Sequence, residues 1–269
     1  MRIRALGATD SRNLTILARQ GGYQITAFIP LDMPLGNAEV LAVAASGKSL
    51  STTVWIAASG FGIYTKAGAG YDAAKAQVLA DTPRLVGLTT PARAGEWVTL
   101  WGTGLGSAAS NVSVEVARIA VAPSYSGPAP GLPGVDQINL LFPAGVPDDC
   151  YIPLTVKVDG RASNTTSIAA ASAPGACHHR LGLSPDTLAS LDKGGQPQLS
   201  QSWVHSDVIP NPGTPGTYRR YDTVSLDFWQ RDAVQVQVST GLLATKVQGC
   251  QLNLEGDRAC PVQTIFLVG

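Results

Sequence analysis

The stretch QITAFIPLDMPLGNAEVLAVAASGKSLSTTVWIAAS, beginning at Gln24, returns without a gap as QINLLFPAGVPDDCYIPLTVKVDGRASNTTSIAAAS, beginning at Gln137. An ungapped repeat marks one supersecondary unit used twice. The copies agree where backbone geometry is demanding: Gln24 with Gln137, Pro30 with Pro143, Pro34 with Pro147, Gly47 with Gly160, and Thr52 and Thr53 with Thr165 and Thr166. Each copy carries short apolar runs punctuated by Gly and Pro, which is the pattern of strands joined by turns. The repeat therefore restricts the chain to a tandem array of β modules.

The strands are clearest in the second copy. In CYIPLTVKVDG, Ile152, Leu154, Val156 and Val158 alternate with Tyr151, Pro153, Thr155 and Lys157, giving one buried and one wetter face. Asp159-Gly160 supplies the positive φ angles of a type I′ hairpin turn, and RASNTTSIA returns antiparallel. Upstream, QINLLFP offers Ile138, Leu140 and Phe142 to one face, NVSVEVA offers Val112, Val114 and Val116, and EWVTLWGTGLG offers Val98 and Leu100. With LVGLTTP this makes about six or seven strands in roughly 90 residues, the size of a small sandwich. In the first copy the same faces predict Ile25, Ala27 and Ile29, then Leu41 and Val43, as inward, with Ser46-Gly47 at the hairpin turn.

These readings divide the chain into four parts. Residues 1–60 form an immunoglobulin-like module lacking its opening strands, because nothing before Gln24 resembles EWVTLWGTGLG. That lack predicts unpaired strand edges and an uncovered apolar face. The cause is a missing front part, or else GFGIYTKAGAGYDAAKAQVLADTP folds back to complete the module. Residues 61–83 connect, 84–173 form a full sandwich, and 174–269 form a mainly-β region. In the last part SPDTLASLDKGG predicts one short helix, with Ser184 as N-cap, Pro185 at the first helical position and Gly194 or Gly195 beyond its end. A polar extended stretch, the loop IPNPGTPGTY and strand candidates TVSLDFW, AVQVQVS and PVQTIFLVG follow. The fold class is all-β: tandem immunoglobulin-like β-sandwiches and a C-terminal mainly-β region with one short helix.

Charge narrows the partners. Lys plus Arg number 19 and Asp plus Glu number 19, with no basic run, so the positive surplus that nucleic acid or anionic membrane requires is lacking. No apolar run of about 18 residues exists to span a bilayer, and the charged opening MRIRALGATDSRNL is not a signal peptide.

TTPARAGEWVTLWGTGLGSAASNVSVEV resembles the opening of IPT/TIG-type immunoglobulin-like modules, whose pattern is a proline, a glycine, an alternating strand and GTGLG. The second copy, together with GFGIYT, resembles an uncharacterised family of large secreted bacterial proteins known chiefly from soil acidobacteria. The resemblance covers about residues 24 to 175. It implies a secreted or cell-surface location and carries no assigned activity.

Candidate chemistry is sparse. GTGLG, from Gly102 to Gly106, lacks GxGxxG spacing and a following helical pattern, so it reads as a turn rather than a phosphate loop. Neither a GxSxG elbow nor HExxH occurs, so no catalytic, cofactor or metal residue is assigned. His178-His179 reads as an exposed pair beside a disulfide in preference to a metal site. Cys150, Cys177, Cys250 and Cys260 lack zinc spacing, and two bridges fit better than reduced thiols. Cys150 and Cys177 fall at the same end of the hairpin, and Cys250 and Cys260 bracket a turn at Glu255-Gly256-Asp257. Trp97 and Trp101 share a strand face with Thr99 between them; they either stack on sugars or pack around Phe61, Ile63 and Tyr64, the second being the plainer reading. Tyr125 is the one aromatic residue in the loop APSYSGPAPGLPGVD, a candidate contact surface. The expectation is a non-enzymatic extracellular adhesion or spacer module. The alternatives are a carbohydrate-binding module and an accessory domain of a larger secreted hydrolase. Partners would be other domains of a larger chain, a surface protein or a polysaccharide.

Overall fold

Period-two alternation becomes strand throughout the repeat in a computed structural model. It describes residues 1–20, 24–44, 46–68, 70–106, 111–210, 212–213, 215–239, 243–244 and 266–267. Two compact units divide the chain, Met1–Arg180 and Leu181–Gly269.

The first unit begins with β1 (Arg2–Ala5), β2 (Arg12–Asn13), β3 (Thr15–Gln20), β4 (Gln24–Phe28), β5 (Gly36–Val43) and β6 (Ser49–Ile56). They form a four-stranded sheet ordered β2-β1-β5-β6 and a separate pair, β3-β4. Ile3, Leu14, Met33, Ala38 and Val40 make a small core, with Ala27, Val54 and Ile56 packed against it.

The phase of β5 corrects the expectation from the repeat. Val40 lies opposite Ile3 on the buried side, whereas Arg4 lies opposite Glu39 on the other, and Arg4 Nε donates to Glu39 at 2.7 Å. Leu41 therefore reaches only partial burial and Val43 is exposed. Had Leu41 and Val43 faced inward, Glu39 would have followed them, and burying a carboxylate costs far more than exposing two aliphatics. The connection is also longer here. Val43 pairs with Ser49 across residues 44–48, while Val158 pairs with Arg161 across only Asp159-Gly160. Those two residues have φ of 48° and 81°, the left-handed pair of a type I′ turn.

The second sandwich starts earlier than residue 84. Residues 61–83, expected as a connector, supply β7 (Gly62–Ile63) and β8 (Ala76–Leu79), followed by β9 (Arg84–Leu85) and β10 (Trp97–Thr103). Both β7 and β8 pair with β10, so this segment completes the second module, not the first. The reason is close approach: Gly102 belongs to the inward alternation of β10, and any Cβ there would collide with the Phe61 ring and the Gly62 backbone. The chain continues through β11 (Val112–Val116), β12 (Ile119–Val121), β13 (Tyr125–Pro128), β14 (Asp136–Leu141), β15 (Asp149–Val158), β16 (Arg161–Ala162) and β17 (Thr166–Ala170).

One sheet runs β13-β14-β10-β8-β9; the other runs β12-β11-β15, with β16 and β17 both on the far side of β15. Read as D-E-B-A against C′-C-F-G, this is the immunoglobulin-like arrangement of two antiparallel sheets. Parallel bridges Ala73–Ser167 and Ala92–Ala170 cover the outer edge of β17, removing a free edge. Of the expected inward residues Val98, Leu100, Val114, Val116, Ile138, Leu140, Phe142, Ile152, Leu154, Val156 and Val158 are buried, and Val112 at the strand start is half-buried. Tyr151, read as wet, is buried as well.

In the second unit α1 (Pro185–Asp192) is capped by Ser184, whose side chain accepts from the Thr187 amide. The polar extended stretch is a strand, β18 (Gln198–Pro210), paired along its whole length with β19 (Tyr218–Gln230). AVQVQVS, expected as a strand, is instead a second helix, α2 (Ala233–Ser239). A reciprocal capping box explains it: the Gln235 amide donates to Asp232 Oδ1 at 2.9 Å, and the Asp232 amide donates to Gln235 Oε1 at 3.1 Å. Most of PVQTIFLVG lies outside the described residues.

Candidate functional site

The outer face of the β13-β14-β10-β8-β9 sheet gathers the candidate aromatics. Because side chains directly opposite one another share a face, the register places Trp97 between Leu141 and Leu79. Thr99 stands between Asn139 and Gln77, and Trp101 beside Gln137. Tyr125 lies opposite Asn139, so it belongs to a strand on this face and not to a loop as expected. Leu85, opposite Gln77, completes the row.

Polar side chains at the centre are organised by the protein itself. The Thr99 hydroxyl donates to Asn139 Oδ1 at 2.8 Å, and Gln137 Nε2 donates to the same oxygen at 2.9 Å. Tyr125 lies down over Gly127: a Cβ at that glycine would sit 3.1 Å from the phenol oxygen and 3.3 Å from Cζ. Its hydroxyl donates to the Pro128 carbonyl at 2.7 Å. Trp97 keeps 45 % and Tyr125 39 % of their surface accessible, while Trp101 is half-buried. Of the residues expected to cover the tryptophans, two turn to the core and Tyr64 stays beside Trp101. Phe61 and Ile63 are buried, Phe61 next to Gly102 on the core side, and Tyr64 meets Trp101 through its amide, 2.9 Å from the Trp101 carbonyl.

The turn reading of GTGLG holds geometrically. Gly104 and Gly106 have φ of 93° and 79°, and a Cβ on Gly104 would stand 2.6 Å from the Gly60 carbonyl oxygen. The Leu105 amide is taken by Asp136 Oδ2 at 2.8 Å.

Cys150 and Cys177 form a disulfide with 5.0 Å between Cα atoms. Around it the Cys150 amide donates to the His178 carbonyl at 3.1 Å, and Arg180 Nε donates to Asp149 Oδ2 at 2.6 Å. His179 is buried, edge-on to Tyr151 at 5.4 Å. This corrects the exposed pair: only His178 is exposed, because the bridge draws the tail against the sheet end and folds one imidazole inward. Cys250 and Cys260 lie outside the described residues. Among the described residues no three His, Cys, Asp or Glu side chains group as a metal site, and no helix is long and apolar enough to cross a membrane.

Sequence reasoning missed Asn164. Its Oδ1 accepts from the Ile63 amide at 2.7 Å, and its Nδ2 donates to the carbonyls of Ile63 and Gly70, so it stands in for a strand edge beside β7. An Asn followed by Thr-Thr after a hairpin carries no signal for that role.

Three titrating groups give the unit a pH dependence: His179, Glu96, and surface Glu39, whose carboxyl the hydrogen bond and charge of Arg4 hold below 4.5 and which adds to the lower limb with Glu96. Burial pushes the His179 imidazole below its ordinary value of 6.5, against the opposing pull of Asp149 and with a further push from His178. Burial acts to raise the Glu96 carboxyl, but hydrogen bonds from Arg93 and Arg84 outweigh it and hold the group below 4.5. As pH falls through 6.5 the unfolded chain takes up a proton that buried His179 resists, so stability declines until the folded imidazole also protonates. The Glu96 contribution is present above 4.5 and is lost as pH falls through its depressed folded value. Melting temperature followed from pH 7.5 to 3 should therefore drop in two limbs. His179→Phe should flatten the upper limb alone; an unchanged profile in that variant would refute the assignment.

Searched against protein-family models, curated proteins and solved structures, the chain matches none.

Proposed function

We propose that this chain is a non-enzymatic interaction module of a secreted bacterial protein, in which immunoglobulin-like sandwiches of the IPT/TIG type act as spacers and one sheet face makes contact. The observation that carries the reading is the gathering of Trp97, Trp101 and Tyr125 on the outer face of a single sheet. Such a face is rigid, because its aromatics stand on paired strands and its amides are held by one another, so little ordering entropy is lost on binding. Exposed aromatic area of this kind marks a surface for a partner. The Cys150–Cys177 bridge supports an oxidising, extracellular setting.

Carbohydrate is the second reading, favoured by the flattened Tyr125 ring and by the amides of Gln77, Asn139 and Gln137 between the aromatics. A sugar presents an apolar ring face to an aromatic and hydroxyls to amides. Retention on insoluble polysaccharides and glycan arrays tests it. Trp97→Ala with Trp101→Ala should weaken retention about tenfold or more while leaving the fold intact. No retention by the parent chain, or equal retention by the double variant, removes the carbohydrate reading; capture of a surface protein through the same residues would keep the contact face. A role as an accessory domain of a larger secreted hydrolase would use this face in the same way.

A further inference from the structure

The second sandwich also holds a small charged cavity, and it does not belong to the aromatic row. Arg84 lies opposite buried Val78, one residue out of phase with Leu85 in that row, so its side chain leaves the sheet on the other side. There, between the turn that follows β9 and the tail that follows β17, is a cavity of about 160 Å³ lined chiefly by Arg84, Thr90, Pro91, Arg93, Pro174 and Gly175. Both walls are pinned. The Gly87 and Thr90 amides each donate to the other's carbonyl, at 3.1 and 3.2 Å, and the Thr90 hydroxyl donates to the Leu85 carbonyl at 2.8 Å. The tail is tied by the Ala171 amide to the Ala92 carbonyl at 3.1 Å, by the Cys177 amide to the Leu88 carbonyl at 2.8 Å, and by the Cys150–Cys177 bridge.

Two guanidiniums meet one carboxylate here. Glu96 Oε1 accepts from Arg84 Nη2, Arg93 Nε and Arg93 Nη2, and Glu96 Oε2 accepts from Arg84 Nη2 and the Arg93 amide. A carboxylate offers about four lone-pair sites, so Glu96 is saturated. Arg84 Nη1 goes to the Thr90 carbonyl at 2.7 Å, while Arg84 Nε and Arg93 Nη1 donate to none of the described residues. The other carboxylate bonded to this tail, Asp148, takes the Ser172 hydroxyl at 2.7 Å and does not line the cavity. A surplus of one positive charge remains. Arg84 and Arg93 keep 27 % and 35 % of their side-chain surface, so water screens them only in part.

We infer that this cavity seats a single carboxylate group of a ligand on the Arg84–Arg93 pair. A monoanion cancels the surplus, whereas a phosphate at about −1.5 to −2 would overcompensate it, and a planar carboxylate matches the fork of a guanidinium. The volume lies below the roughly 300–1,000 Å³ of sites for drug-sized ligands, so it takes one charged group with its nearest carbon atoms. A free organic acid supplies that group, and so does one acidic residue of a sugar chain, which the exposed Ala173, Pro174 and Gly175 leave room to continue outside. This inference does not rest on the aromatic face.

Backbone amide shifts of the full chain, followed by NMR while galacturonate, acetate, galactose or sulfate is added, test it. Galacturonate and acetate should give saturable shifts at millimolar concentrations, centred on Thr90, Arg93 and Gly175; galactose should give none, and sulfate should bind more weakly. Tighter binding of galacturonate assigns an acidic sugar, and equal binding of the two acids assigns a free organic acid. Arg93→Gln should weaken binding about fivefold or more. Because that change also loosens Glu96, Ala173→Glu provides an independent variant. It adds a carboxylate at the exposed mouth without touching the ion pair, so it should keep the melting temperature and lose binding to a similar degree. The inference is overturned by absence of saturable shifts, by shifts centred elsewhere, by galactose binding as well as galacturonate, by sulfate binding more tightly than the acids, or by normal binding in both variants.

Discussion

Replacing Ile138 with alanine should lower stability by about 3 kcal/mol, whereas the same change at Ile25, its partner in the repeat, should cost well under about 1 kcal/mol. Ile138 is completely enclosed between sheets and lies opposite Leu100 on β10. Truncating it removes the transfer free energy of its methyl groups and leaves a cavity that paired strands on both sides cannot close. Ile25 already meets solvent over 44 % of its surface, so little transfer free energy remains to lose. For a unit of this size the difference corresponds to a melting-temperature gap of roughly 6–10 °C between the variants. Equal shifts would mean that the two copies are covered alike and would contradict the strand order described above.

Removing the Cys150–Cys177 bridge, through the double variant Cys150→Ala/Cys177→Ala, should cost about 3.5 kcal/mol on the loop-entropy relation for a separation of 27 residues. The native state loses more than a tether. Both sulfurs are buried, and the bridge holds the tail that carries His179 against Tyr151 and Arg180 against Asp149. Thermal melts should shift downward by roughly 7–14 °C, and dithiothreitol should lower the parent protein more than the double variant. A double variant that melts with the parent would show that the tail is held by its hydrogen bonds alone. Non-reducing peptide mapping checks the pairing independently and also reports on Cys250 and Cys260.

Much of the second sandwich was legible because its inward positions are uninterrupted. Ile152 through Val158 alternate without a charged residue on the inner face, and Asp159-Gly160 permits only a tight turn, so phase and register follow from local chemistry. The first copy was less legible. There the same alignment points Leu41 and Val43 inward, and the decision belonged to β1, which sets Arg4 against Glu39 in water and Ile3 against Val40 in the core. A strand partner that is distant in sequence leaves no mark in the local pattern. In the second unit the alternation of AVQVQVS suits a strand, but Asp232 and Gln235 satisfy the first amides of a helix, and a short segment follows its caps.

Of the aromatic face, the sequence supplied Trp97 and Trp101 through simple alternation, but it placed Tyr125 in a loop. Strand pairing brought Tyr125 opposite Asn139 and left its ring lying on Gly127, which depends on backbone hydrogen bonds between segments far apart in the chain. Composition and periodicity determined that the protein is built of β-sandwiches with alternate residues buried, because the strand period is a local property. Which strands stand side by side and which apolar rows meet solvent were decided only in three dimensions, because they depend on what the neighbouring strand covers.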